Sequence, residues 1–325
     1  MSKTSKVVVF AVVLVAIALG AGAYIWMRAS GSNDAMRLLP DGDVLVYANL
    51  RPLHLVELTQ SFPPPTDPEY LDFVQQTGIQ LERDLDEFAF ALQGSVSARD
   101  TESSEILTGR FDRDRLSAYL AKSATGTESF GSHKIFLIAH SGHTVRVCLL
   151  TNKMVAITNM ESAEPMQTII RHAEVKFARS LPGPALLSGY YKNVPVGSVG
   201  WVIGRIPASG TQQMPSGFDT SYLENGVVVA SVRYTGDVLL KTEVLLQTED
   251  DAKRLTDAAN GFVGMYRTIL LPPGNKGGDA EMKSAINSIK VEQKEKSTIV
   301  TATIPQKLIE KLGKEIRQQS ATHNP

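Results

Sequence analysis

Residues 134–158, KIFLIAHSGHTVRVCLLTNKMVAIT, read as three consecutive antiparallel strands. KIFLIAH, TVRVCLL and KMVAIT are rich in β-branched and apolar residues, and Ser141-Gly142 and Thr151-Asn152 between them have hairpin-turn chemistry. Strands joined by such short turns must run in opposite directions, so this stretch commits the chain to an antiparallel sheet. In the middle strand, alternation puts Val145, Val147 and Leu149 on one face and Arg146, Cys148 and Leu150 on the other.

The flanking segments alternate between strand and helix. Asp43–Leu50 (DVLVYANL), Glu87–Gln93 and Ser104–Phe111 have strand patterns. Asp67-Pro68 reads as an N-cap followed by proline at the first helical position, with Gly78 ending that helix, and Asp112 caps a helix over Arg113–Lys122. Ser162–Glu174 is helical, with Pro165 tolerated in the first turn and Met166, Ile169 and Ile170 on one face. The breakers Leu181-Pro182-Gly183-Pro184 place a domain junction nearby.

The second half repeats this logic. Ser198–Ile206 reads as a strand, Pro207–Asp219 as a loop, and Gly226–Tyr234 with Val238–Gln247 as a hairpin. Thr248 to Asp251 form a capping box that opens a helix. In it Leu255, Ala259, Phe262, Tyr266 and Ile269 share one apolar face expected to cover a sheet. A helix over Glu281–Asn287, a hairpin around Lys294–Lys296 and a closing helix from Pro305 follow, the last with Leu308, Ile309, Leu312 and Ile316 inward. Residues 106–112 lead into a helix as residues 299–305 do, which suggests a diverged duplication.

The strongest single signal lies at the start of the chain. Val7–Met27, VVVFAVVLVAIALGAGAYIWM, holds no charge and as a helix reaches about 31 Å, the thickness of a hydrocarbon core. Val7, Phe10, Leu14, Ile17 and Leu19 give it the apolar surface of a membrane anchor, and Tyr24 and Trp26 fall at the outer headgroup level. Lys3 and Lys6 precede it, so the positive-inside rule leaves residues 1–6 in the cytoplasm and exports the body. The competing reading is a signal peptide cleaved after Ala23, because Ala21-Gly22-Ala23 has the small-x-small pattern.

The expected architecture is therefore α+β: an N-terminal transmembrane helix followed by two antiparallel-sheet domains with helices packed on one face. Residues 1–6 form a cytoplasmic tip, 7–27 the transmembrane helix, 28–38 a linker, 39–181 the first domain, 182–317 the second and 318–325 a polar tail. Leu39-Pro40-Asp41-Gly42-Asp43 before a strand, Glu82-Arg83-Asp84-Leu85-Asp86 before another, and Leu107 to Asp112 before a helix give the chain its segment order. In that order it resembles single-pass bacterial envelope proteins with a duplicated α+β exported body. The resemblance implies location and architecture and carries over no catalytic residue.

Composition narrows the function classes. The 325 residues include 33 Lys and Arg against 34 Asp and Glu, so nothing draws the chain to nucleic acid by net charge. A single cysteine, Cys148, excludes an internal disulfide and any paired-cysteine zinc or redox motif. His140 and His143 flank a hairpin turn and would stand opposite each other, a two-ligand metal candidate that lacks an obvious third ligand. Glu249, Asp250 and Asp251 are explained by a helix N-terminus, and Asp84, Asp86 and Glu87 lack the spacing of a calcium loop. No G-x-S-x-G, H-E-x-x-H or phosphate-loop order occurs. No cofactor is expected.

These features point to a non-catalytic binding or structural role in the cell envelope, with the lipid bilayer and another envelope protein as partners and no nucleic acid. The alternatives are an exported hydrolase assembled from residues distant in sequence, or a carrier of an apolar ligand. The expected location is the inner or cytoplasmic membrane, or secretion of the body if the segment is cleaved. The full chain should stay with membranes after high-salt and alkaline washing, because a spanning helix is held by apolar burial that salt does not screen. A mature chain beginning at Tyr24 in the soluble exported fraction would instead establish cleavage.

Overall fold

The computed structural model describes residues 34–52, 67–93, 102–140, 142–175, 181, 183–207, 221–270 and 280–322. The expected anchor, Val7–Met27, and most of the loop 207–219 lie outside the described residues. Among the described residues no helix is long and apolar enough to cross a membrane.

The elements run α1 (Asp34–Leu38), β1 (Val44–Asn49), α2 (Pro68–Thr77), α3 (Leu81–Asp84), β2 (Leu85–Gln93), β3 (Glu102–Gly109), α4 (Arg113–Ser123), β4 (Gly126–Phe130), β5 (His133–His140), β6 (His143–Thr151), β7 (Met154–Thr158), α5 (Glu164–Glu174), α6 (Ala185–Tyr190), β8 (Gly200–Arg205), β9 (Val227–Tyr234), β10 (Val238–Leu245), α7 (Glu249–Leu270), α8 (Ala280–Asn287), β11 (Lys290–Lys294), β12 (Ser297–Ile304) and α9 (Gln306–Thr322). The strands form one 12-stranded sheet in the order β11-β12-β10-β9-β8-β1-β2-β3-β7-β6-β5-β4, with every pairing antiparallel.

The α+β class is as expected, but in place of two sheets there is one. Strand β1 joins the halves: Tyr47 lies opposite Ala89 of β2 on one edge and Trp201 of β8 on the other. The halves share a path. In each, a three-strand meander (β1-β2-β3 or β8-β9-β10) leads into a helix (α4 or α7), and the chain then returns from the outer edge of the sheet inward. This is the topology a duplication would leave, with β1 and β8 adjacent at the centre.

Register divides the residues between two faces. Leu45, Tyr47, Ala89, Ala91, Ile106, Ile135, Cys148, Ala156, Trp201 and Ile203 share the first face, where α1, α5 and α6 bury them with Met36, Met166, Ile169, Ile170 and Leu186. On the second face α2 and α4 cover β5, β6 and β7 through Leu116, Leu120, Phe136, Val147, Leu149 and Val155. Helices thus lie on both faces rather than one. A single-faced sheet of this composition would leave either Cys148 or Val147 in water, since alternating positions on β6 are both apolar.

Local caps follow the sequence. The Asp67 carboxylate accepts from Tyr70 N, Gly78 ends α2 at φ 74°, and Asp112 caps α4. The segments Glu82–Asp86 and Leu107–Asp112 lock together. A Cβ on Gly109 would approach Asp84 O to 2.2 Å, and Arg110 N donates to that same carbonyl at 2.8 Å. Burial acts to raise the pKa of the Asp84 carboxyl, but hydrogen bonds from Arg83 and Gln80 N and the charges of Arg83 and Arg110 hold it below its usual value.

Two further expectations are corrected. The linker 28–38 includes α1, whose Met36 and Leu38 enter the main core. Strand β4 and helix α6 arise from segments too polar or too broken to announce themselves. The expected sheet-covering face of α7 is only partly covered: Leu255, Ala259 and Tyr266 are half-buried, but Phe262 is 43% and Ile269 60% exposed. Instead α7 meets β12 through smaller residues, with Ala252 buried and Thr256 Oγ1 hydrogen-bonded to Thr298 Oγ1. A 22-residue helix offers overlapping stripes at three-four spacing, and the one chosen lets the helix approach the strands closely.

Glu105 shows what the apolar second face does to a carboxyl. It sits between Phe90 and Ile157 on the neighbouring strands, accepts from Ser103 Oγ at 3.0 Å, and burial raises its pKa.

Two outcomes follow from the packing. Ile169→Ala, which empties a fully buried site, should cost about 2–5 kcal/mol in denaturant unfolding, whereas Phe262→Asp should shift the midpoint far less. Equal losses would show that α7 is placed in the wrong register. Glu105→Gln should stabilise the protein at pH 7. With a folded pKa above the unfolded one, the native carboxyl's favourable contribution is complete below about pH 4 and is lost as pH rises through the folded value. Thermal melts should therefore show a gain at pH 7 that disappears near pH 4, and a gain independent of pH would contradict this account.

Candidate functional site

The turn end of the β5–β6 hairpin borders a cavity of about 360 Å³. Its most unusual lining group is Arg146, on the first face of β6 in the same row as Thr158 of β7 and Ser104 of β3, both buried. An arginine among apolar neighbours needs its hydrogen bonds supplied internally. Nη1 donates to Met160 O at 2.8 Å. Nε lies 3.5 Å from the Glu128 carboxylate, and among the described residues neither Nε nor the buried Thr158 Oγ1 makes a hydrogen bond.

The segment following β7 closes the cavity. Asn159 Oδ1 accepts from Ser103 N at 2.6 Å, which ties this segment to β3, and the Met160 sulfur lies 3.7 Å from Ser104 Oγ. Glu102 and Glu161, both exposed, add negative charge to the lining, and His143 and Thr144 complete it from β6. Met160 also borders a second cavity of about 470 Å³, lined among others by Asp41, Pro165 and His172. There Asp41 caps α6 by accepting from Ala185 N at 2.6 Å, and His172 Nδ1 lies 3.0 Å from Leu38 O.

His140 and His143 are cross-strand partners in register, as expected, and both are exposed. Only His143 lines the cavity. Among the described residues no group of three or more His, Cys, Asp and Glu side chains could hold a metal ion. Cys148 is fully buried, and burial pushes its thiol up to about 11, outweighing the lowering effect of Arg113.

A second polar cluster lies on the first face near the sheet centre. Tyr47 stacks on Trp201 with ring centroids 5.6 Å apart, and Tyr191 packs against Trp201. Burial raises the pKa of Glu87, partly opposed by the charge of Arg51, whose Nη2 is 3.1 Å away. Burial likewise raises the Tyr47 phenol, and the negative charge of the Glu87 carboxylate adds to the rise. Further along, Glu243 takes Lys241 Nζ at 2.8 Å and Asn193 Nδ2 at 3.2 Å. None of the groups that burial raises among the described residues, Tyr47, Tyr70, Glu87, Glu105, Cys148 and Tyr234, lines either cavity.

The sequence reading singled out His143 and passed over Arg146. The missed signal was the strand alternation itself, which put an arginine on the same face as Cys148 and Leu150.

No family model and no curated protein matches the chain. Among solved structures it is similar to those of TP0453. Crystal form III matches at 11% identity over 88% of this chain and 100% of that one, with a TM-score of 0.49. Crystal form IV matches at 11% identity over 86% and 96%, with a TM-score of 0.46, and crystal form I at 10% over 89% and 99%, with a TM-score of 0.41.

Proposed function

We propose that this chain is a membrane-anchored exported protein with a non-catalytic binding role in the cell envelope. The charge-free run Val7–Met27 supports the anchor, and the preceding Lys3 and Lys6 support export of the body. The observation that carries the binding role is the separation of the cavities from the perturbed groups. A hydrolytic site gathers shifted acids, bases or nucleophiles in its cleft, whereas here burial raises Tyr47, Glu87, Glu105 and Cys148 away from both cavities. The lining of the hairpin cavity offers fixed charges of both signs, which suits recognition.

The test is site-specific photocrosslinking in intact cells. A photoreactive residue replacing Thr144 in the full chain should capture an envelope molecule, and one replacing Val196, 94% exposed and outside the cavity lining, should not. Equal capture from the two positions, or none from Thr144, would remove the binding reading.

A further inference from the structure

We propose that the cavity beside Arg146 binds a small zwitterion, an α-amino acid or short peptide, with its carboxylate on the Arg146 guanidinium and its ammonium between Glu102 and Glu161. The inference rests on the binding role proposed above and names its ligand class.

The argument begins with the unused capacity of Arg146. Its side chain is 10% exposed, yet of the five N–H donors of a guanidinium only the one on Met160 O makes a hydrogen bond among the described residues. Glu128, 3.5 Å from Nε, is 38% exposed and supplies a partly solvated counter-charge. A carboxylate in the cavity would meet a planar donor fork already held in place by the strand and by Met160 O.

The other lining charges decide what else the ligand must carry. Glu102 lies on the same face as Arg146, two strands away across β7 and two residues along from Ser104, which is about 12 Å at ordinary strand spacing. Glu161 follows the turn that Asn159 fixes. A simple anion drawn to Arg146 would approach these two carboxylates, and a simple cation drawn to them would approach Arg146. A molecule with both charges a few bonds apart satisfies both ends, which the backbone of a free amino acid or short peptide provides. The cavity, about 360 Å³, lies at the small end of ligand sites, and Met160 offers apolar contact for a short side chain.

Isothermal titration of the full chain in detergent micelles tests this with four probes: L-alanine, L-alanyl-L-alanine, N-acetyl-L-alanine and L-alaninamide. At least one of the two zwitterions should bind, and the capped compounds, each lacking one charge, should not. Arg146→Gln should weaken that binding about tenfold or more, and the double variant Glu102→Gln, Glu161→Gln should weaken it as well. The double variant changes only exposed side chains, so it carries the test if Arg146→Gln fails to fold. Binding of N-acetyl-L-alanine or L-alaninamide as tight as that of the zwitterions would overturn the proposal, as would zwitterion binding indifferent to the double variant, or no zwitterion binding at all. Loss of zwitterion binding with capture from position 144 retained would discard the ligand class alone. Absence of both would discard the binding role too.

Discussion

Strand β1 is hydrogen-bonded along both edges, to β2 over Val44–Asn49 and to β8 over Val44–Ala48, and this double pairing holds the two halves in one sheet. A six-residue strand in that position has its backbone donors and acceptors taken up on both sides, so it cannot be moved without exposing edges on β2 and β8. Its inward residues Leu45 and Tyr47 then sit at the middle of the main core, which draws on α1 and α5 from the first half and Trp201, Ile203 and Val229 from the second. The halves are coupled by apolar burial as well as by the ladder.

The same apolar surface explains why the polar residues behave as they do. Glu87, Glu105 and Cys148 are raised by burial because the sheet gives them few partners. At Arg146 the structure supplies partners directly, with Met160 O accepting from Nη1 and the Glu128 carboxylate 3.5 Å from Nε. That compensation is incomplete, and the space left beside it is the cavity. A charged group kept on a buried face at a cost in desolvation is a reason to look for a ligand.

The two halves are not equally consolidated. On the second face β5, β6 and β7 are covered by α2 and α4, with Phe73 edge-on to Tyr119 at 5.4 Å. In the other half Val238 and Ile309 form the centre of a much smaller cluster, and α7 lies along β11 and β12 with Phe262, Met265 and Ile269 substantially exposed. A helix over the outermost strands of a sheet has strand beneath it on one side only, so part of its apolar surface stays in water.

Local chemistry determined the elements. Asp67-Pro68, Asp112 and Thr248 fixed helix starts by capping, Gly78 fixed an end, and alternation in residues 134–158 fixed three strands, their register and the facing of His140 on His143. These depend on residues a few positions apart, which a sequence displays directly. Only the tertiary structure decided that β1 pairs with β8 across some 150 residues, because every exposed strand edge presents the same donors and acceptors and the pattern within a strand does not name its neighbour. The face of α7 that meets the sheet was decided in the same way, since two stripes fitted the spacing. So was the setting of Arg146: alternation put it on the face of Cys148, but Glu128 and Met160 reach it from two other segments and Glu102 lines the same cavity from a third, which could be known only after the chain had folded.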